Sequence, residues 1–418
     1  MQLWQPSLPE RYLKASPDSL AVAIADRRRR LGDRLVILGH HYQVDEVVRH
    51  ADLTGDSLKL SQLAAGLRDD PSRTQAPEFV VFCGVHFMAE TADMLTDDST
   101  AVILPDLSAG CSMADMADYD DTVDAWELLH ESLNRSHGGS WNGRIVPITY
   151  VNSTAAIKSF VGAHGGACCT SSNADKVFAW AMDGGTQARG DGEEIKILFL
   201  PDQHLGRNTA HNYGVDVAQH AALYDPKRTM QGQPLGGMTE RQLADASVVL
   251  WAGHCSVHKL FRPEHIDEIR ADDAEHPDRA ATTVIVHPEC SKEVVDKADQ
   301  WGSTEKIIKT IEAAEPGSRW AVGTEVHLVG RLAQAAAARG VDVRILSDCQ
   351  CLCTTMYRID EPHLLWVLDR LLGIKPEDDP DAPTGTPTVV NRVAVHPEVR
   401  GAAVDALDRM LGLVSAPA

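Results

Sequence analysis

The 418 residues suffice for two or three α/β units, and 44% hydrophobic with 24% charged residues is the balance of a globular protein. Lys and Arg total 39 against 60 Asp and Glu, a formal charge of −21. That surplus excludes a broad nucleic-acid surface, which needs basic patches for phosphates, but leaves room for a local pocket for small anions.

In chain order, MQLWQPSLPERYLKASPDSL has no basic segment leading into an apolar one, so no leader is expected. The strand RLVILGH (34–40) ends on His40, His41 and Tyr42, and SLKLSQLAAGLRD (57–69) reads as a helix with Ser57 as its cap or as part of an anion site. Strands EFVVFCG (78–84) and AVILP (101–105) follow, the second leading to Cys111. HGGSWNGR (137–144) is a Gly-rich loop before RIVPITYVN (144–152), which carries Tyr150 and Asn152 to its end. CCTSSNA (168–174) opens a helix with Thr170, Ser171 and Ser172 as caps, and MDGGTQARGDGEE (182–194) is a second loop. After IKILFLP (195–201), PDQHLGRN reads as a turn offering His204 and Arg207 to an acidic group. ASVVLWAGH (246–254) runs into Cys255, and a helix is expected over 264–276. TTVIVHPE (282–289) ends on His287 and Glu289, a credible proton-transfer pair, and WGSTEKI caps a helix over 304–315 with Ser303 and Thr304. RWAVGT (319–324), a helix over 325–340 and VDVRIL (341–346) lead to DCQCLCTTM. KPEDDPDAPTGTPT (375–388) reads as a linker, and EVRGAAVDALDRMLGLV as an amphipathic helix that packs on the core.

Short apolar strands alternating with helices predict α/β units with mostly parallel sheets. No apolar run is long enough to cross a bilayer, so the expectation is a cytoplasmic protein with no membrane partner. In that compartment nine cysteines favour metal or redox chemistry over a disulfide framework. Cys83, Cys168, Cys169 and Cys290 lie in or beside apolar strands and read as small buried hydrophobes. Cys111, Cys255 and the 349–353 cluster instead follow strands in three separate thirds of the chain. Strand C-terminal ends are where open parallel sheets gather function. A dispersed thiolate site of this kind suits catalysis better than a local staple.

These blocks resemble quinolinate synthase, the A protein of bacterial NAD biosynthesis. The blocks are HHYQ, GDSL, CGVHFMAETA, LPDLSAGCSMADM, YVNSTAAIK, CTSSNA, PDQHLGRN, WAGHCSVH, VHPE, GST and the last C-x-x-M, in order from about residue 35 to 357. The resemblance implies three homologous α/β/α domains with mostly parallel sheets around a pseudo-threefold centre. Carried onto this chain, they are 1–111 with an N-terminal extension, 112–255 and 256–353, with 354–418 packing back on the core. It implies a 4Fe–4S cluster held by Cys111, Cys255 and Cys353, one iron being open to substrate as a Lewis acid. The implied reaction condenses iminoaspartate with dihydroxyacetone phosphate to quinolinate, losing phosphate and two waters, and depends on an enzyme that makes iminoaspartate. Candidate acid–base groups are then Tyr42, Tyr150, His258, His287 and Glu289. Candidate substrate contacts are His40, Ser57, Tyr150, Asn152, Ser171, His287, Glu289, Ser303 and Thr304. The C-terminal block is C-x-C-x-C here where some relatives have C-x-x-C-x-x-C, so Cys353 is assigned by the x-x-Met that follows it. Cys349 and Cys351 are left as a redox pair or mere neighbours.

Three other functions compete with this one. An aconitase-like hydro-lyase also suits a three-cysteine cluster with an open iron. A non-catalytic iron or redox sensor would usually carry a DNA-binding element, and none is read here. A zinc hydrolase fits poorly, because three thiolates without a histidine ligand activate water weakly.

Overall fold

The computed structural model describes residues 5–67, 76–348, 351–374 and 385–415. Each of the nine strands read from the sequence overlaps a strand of the structure. The chain forms two compact units, Met1–Cys111 with Leu352–His396, and Ser112–Cys351 with Pro397–Ala418.

The first unit holds one sheet. Its parallel strands are β1 (Leu35–His40), β2 (Leu53–Gly55), β3 (Phe79–Cys83) and β4 (Ala101–Ile103), in the order β2-β1-β3-β4. The short strand Arg392–Val393 adds antiparallel to β4. Every residue of β1 and β3 is buried, as expected of parallel strands covered on both faces. The buried carboxylate of Asp369 accepts from Arg11 Nη2 at 2.8 Å, Arg27 Nε at 2.8 Å and Tyr12 Oη at 2.9 Å. That network ties the helix Glu361–Leu371 to the helix Pro17–Leu31.

The second unit holds two sheets. One contains β5 (Gly143–Tyr150), β6 (Ala167–Cys169), β7 (Glu194–Leu200), β8 (Ala221–Tyr224) and β9 (Val248–Trp251), ordered β6-β5-β7-β9-β8. The other contains β10 (Thr282–Val286), β11 (Gln300–Trp301), β12 (Arg319–Gly323) and β13 (Asp342–Ile345), ordered β11-β10-β12-β13. All pairings in both are parallel. Each of the three sheets thus begins with its first strand between its second and third. This repeat exists in the winding, although the sequence shows none. The tail helix Pro397–Ser415 packs on the helix Ala155–Ala163 so closely that a Cβ at Gly162 would stand 1.8 Å from the Ala402 carbonyl oxygen.

Several local readings change. PDQHLGRN is not a turn but the start of the helix Gln203–Tyr213, capped by Asp202, which accepts from His204 N and Leu205 N, both at 2.7 Å. Asp56, not Ser57, caps the helix Ser57–Gly66, accepting from Lys59 N at 2.9 Å. In CCTSSNA the helix starts at Ala174 with Asn173 as its cap residue, so Thr170, Ser171 and Ser172 lie in the loop before it. Ser303 does cap the helix Thr304–Glu312 through Lys306 N. The sequence reading contains no counterpart of the strands Leu53–Gly55, Ala167–Cys169, Ala221–Tyr224, Gln300–Trp301 and Arg392–Val393. They are two to four residues long, too short for a period to show. Residues 375–384 of the linker reading, and Cys349, lie outside the described residues.

Candidate active site

The second unit brings Tyr150, Ser171, Cys255, His258, His287 and Glu289 into one neighbourhood. Parallel pairing sets Tyr150 opposite Cys169, so the ends of β5 and β6 deliver Tyr150 and Ser171 side by side. Beyond β10, His287 to Cys290 form a turn closed by Cys290 N to His287 O at 3.0 Å. Pro288 at its second position supplies the φ that such a turn requires. The turn aims Glu289 inward, where His258 Nδ1 lies 2.6 Å from Oε2 and the Tyr150 hydroxyl also donates to the carboxylate. His258 Nε2 is 3.1 Å from Thr324 Oγ1, and the His258 and His287 rings stack at 4.3 Å between centroids. Cys255, His258 and Glu289 each present a ligand atom within 4.8 Å of the others, a set able to hold a metal ion.

Burial decides the charge states. His287 is pushed down to about 3, first by burial and then by the positive field of His258, against the opposing pull of Glu289. It is therefore neutral near pH 7. Its Nδ1 accepts from Glu289 N at 3.3 Å, so the proton sits on Nε2 and faces Ser171 Oγ at 3.2 Å. Burial alone would raise Glu289, but the field of His258 and hydrogen bonds from His258 and Tyr150 outweigh it and hold the acid at about 2. The pairing read from sequence is present, but it is not the shortest one. His287 Nδ1 stays 3.8 Å from the carboxylate, while the short bond runs to His258, at the start of the 3-10 helix His258–Leu260 beyond β9. The result is an ionised carboxylate flanked by a donor phenol and two imidazoles, a set able to accept and return a proton.

Sequence reasoning missed three supporting residues. Asp202 is fully buried and, besides capping its helix, accepts from Cys255 N at 3.1 Å, which fixes the backbone at that thiol. Thr324 orients His258, and Asn208 holds the turn that carries Glu289. Of these, Asp202 carried a legible signal, an Asp just past a strand and before a helix. Asn152, Ser303 and Thr304 sit at strand or helix ends of the same unit; Ser303 and Thr304 are buried.

In the first unit, His40 is buried at the end of β1, its Nδ1 accepting from Tyr42 N at 3.1 Å, with the two rings edge-on at 4.7 Å. Ser57 is half-buried in the first turn of its helix. Cys111 and Cys353 are half-buried there too, in loops linked by Arg358 Nη1 to Ser108 Oγ at 3.1 Å. Cys353 Sγ lies 3.6 Å from Thr355 Oγ1, and Met356 is buried beneath. In the second unit Cys255 is half-buried, whereas Cys351 is buried with Ser347 Oγ at 3.6 Å. Burial pushes the Cys83 and Cys168 thiols up to about 12 and raises Cys169 and Cys290 as well. Such thiols resist the ionisation that metal binding needs. The buried reading of these four cysteines therefore agrees with their surroundings.

Parallel α/β sheets with a buried carboxylate, imidazoles and a phenol gathered past the strand ends define an α/β enzyme. The Quinolinate synthetase A protein family matches residues 23–412, and the chain belongs to it. Quinolinate synthase of Acidobacterium capsulatum is 48% identical over 402 residues, 96% of this chain and 95% of that protein. Quinolinate synthase of Anoxybacillus flavithermus is 47% identical, covering 97% and 96%, and that of Streptomyces coelicolor 45%, covering 96% and 89%. Membership makes this an enzyme of NAD biosynthesis. No helix among the described residues is long and apolar enough to cross a membrane.

Proposed function

We propose that the enzyme condenses iminoaspartate with dihydroxyacetone phosphate to quinolinate, releasing phosphate and two waters, in the cytoplasm and functionally linked to an enzyme that supplies iminoaspartate. The observation that carries the reading is the ionised Glu289 held between His258, His287 and Tyr150, since ring closure with two dehydrations requires repeated proton transfer at one place.

A 4Fe–4S cluster fits the donors present. Among the described residues Cys111, Cys255 and Cys353 are the half-buried thiols, while Cys83, Cys168, Cys169, Cys290 and Cys351 are buried. Soft thiolates suit iron–sulfur clusters. We assign Cys111, Cys255 and Cys353 as the ligands on the family resemblance. When bound, the cluster supplies a Lewis acid at the iron that has no protein thiolate.

The chain's own groups then divide the work. Glu289 takes protons from carbon and passes them on through the Tyr150 hydroxyl or His258. His287, neutral with its proton on Nε2, donates with Ser171 to a substrate carboxylate or carbonyl. Tyr42 is the acid–base candidate of the first unit. His40, Ser57, Asn152, Ser303 and Thr304 bind substrate carboxylate or phosphate, the last two at the N-terminal end of a nine-residue helix whose dipole favours an anion. The three segments 1–111, 112–255 and 256–353 are proposed as the homologous domains, followed by 354–418.

Anaerobic purification followed by iron, sulfide and quinolinate assays with both substrates tests this directly. Zinc in place of iron, or an intact cluster without quinolinate, would sink the proposal. Turnover of a single substrate without dihydroxyacetone phosphate would point to the hydro-lyase instead.

A further inference from the structure

Glu289 sits on a four-residue turn, and a turn alone does not hold a carboxylate in register to a fraction of an ångström. The closing bond from Cys290 N to His287 O leaves the Pro288 and Cys290 carbonyls pointing out of the turn. Both are taken by one side chain. Asn208 Nδ2 donates to Pro288 O at 2.8 Å and to Cys290 O at 2.9 Å. A carboxamide has two N–H donors, so both are spent on the residues either side of Glu289. Asn208 is 4% exposed and stands on the helix Gln203–Tyr213, whose capping residue Asp202 also accepts from Cys255 N. One rigid helix therefore registers the Glu289 turn against the loop that carries Cys255.

We propose that Asn208 is a positioning residue that fixes the Glu289 carboxylate against His258 and Tyr150. Asn208 touches backbone only, so it acts through the turn. Loss of both donors frees two buried carbonyls and lets the turn relax, and displacement of a reacting group by about 1 Å costs on the order of 100-fold in rate. The reaction affected rests on the function proposed above, so the test includes a readout that does not need it.

In the cluster-loaded full chain, Asn208→Ala is expected to lower kcat by about 10- to 100-fold with iron and sulfide unchanged. In a Glu289→Ala background the same change is expected to cost less than about 2-fold, because the group it positions is gone. Equal losses in both backgrounds, or no loss in either, overturn the proposal. Hydrogen–deuterium exchange gives the independent reading: Asn208→Ala should speed exchange over residues 287–291 and leave the β7 amides protected. Unchanged exchange at the turn, or loosening spread through the sheet, overturns it as well. If Asn208→Ala does not fold, Asn208→Ser, which keeps one donor, is read the same way and should give an intermediate loss. Absence of quinolinate from the wild-type chain would defeat the proposed function while leaving the exchange result to decide the role of Asn208.

Discussion

At the residue scale, the chemistry of the second unit turns on Glu289. Its carboxylate is buried, ionised and bonded to His258 and Tyr150. Glu289→Gln keeps the volume and removes the base, and should lower quinolinate formation on the order of 100- to 10,000-fold in a steady-state assay. Stability should fall as well, because the neutral amide no longer supplies the charge that is paired with His258. His258→Ala is expected to cost folding stability in addition, since it leaves a buried carboxylate without its closest partner. Urea unfolding of the two variants measures the charge pairing, and the steady-state assay measures the proton transfer. Among thiols, Cys111→Ser, Cys255→Ser and Cys353→Ser should each lose iron, whereas Cys83→Ser or Cys168→Ser should retain it. Retention of iron by Cys353→Ser would overturn the ligand choice. Which residues carry chemistry was legible because strand ends bore polar rings and thiols that packing does not explain. Which residue partners which was not. His287 and Glu289 are two apart in sequence, yet the turn keeps them 3.8 Å apart and hands the carboxylate to His258.

At the element scale, two glycines in helices make opposite predictions. Gly162 meets the tail helix at the Ala402 carbonyl, and Gly162→Ala forces the helices apart, an overpacking cost of about 1–3 kcal/mol. Gly330 lies exposed in the helix Val326–Ala337 with nothing within 4 Å of a Cβ, so Gly330→Ala should stabilise by about 0.4–1 kcal/mol. Thermal midpoints that move in opposite directions would bear this out, and a stabilising Gly162→Ala would refute the close packing. The long strands and helices were readable because apolar runs and helical periods persist over enough residues. The start of the helix Gln203–Tyr213 resembles a turn in sequence because its first residues, with His204 and Arg207, are polar, and Asp202 caps it only once the helix is formed. The two- and three-residue strands owe their pairing to neighbours that are far away in the chain.

At the scale of the whole molecule, pH exposes the buried groups. His287 titrates at about 3 in the folded chain against an ordinary 6.5, and Glu289 at about 2 against 4.5. Below pH 6.5 the unfolded chain binds protons that the folded chain refuses. Stability is therefore full above 6.5 and falls as pH drops toward 2, by an amount on the order of a few kcal/mol. The alkaline side mirrors this. Cys83 and Cys168 hold their protons up to about 12 against an ordinary 9, so stability present below 9 is lost as pH rises from 9 to 12. Urea midpoints measured from pH 4 to 10 check both limbs, and His287→Asn should flatten the acid one.

The sequence by itself determined the α/β class, nine of the strands, the family and the candidate residues, because these depend on local period, composition and order along the chain. Only the tertiary structure decided the 2-1-3 winding shared by the three sheets. The structure also decided that His258, not His287, makes the short bond to Glu289, and that Asp202, Asn208 and Thr324 support the site. Those outcomes depend on burial and on contacts between residues dozens of positions apart, and neither leaves a local pattern in the chain.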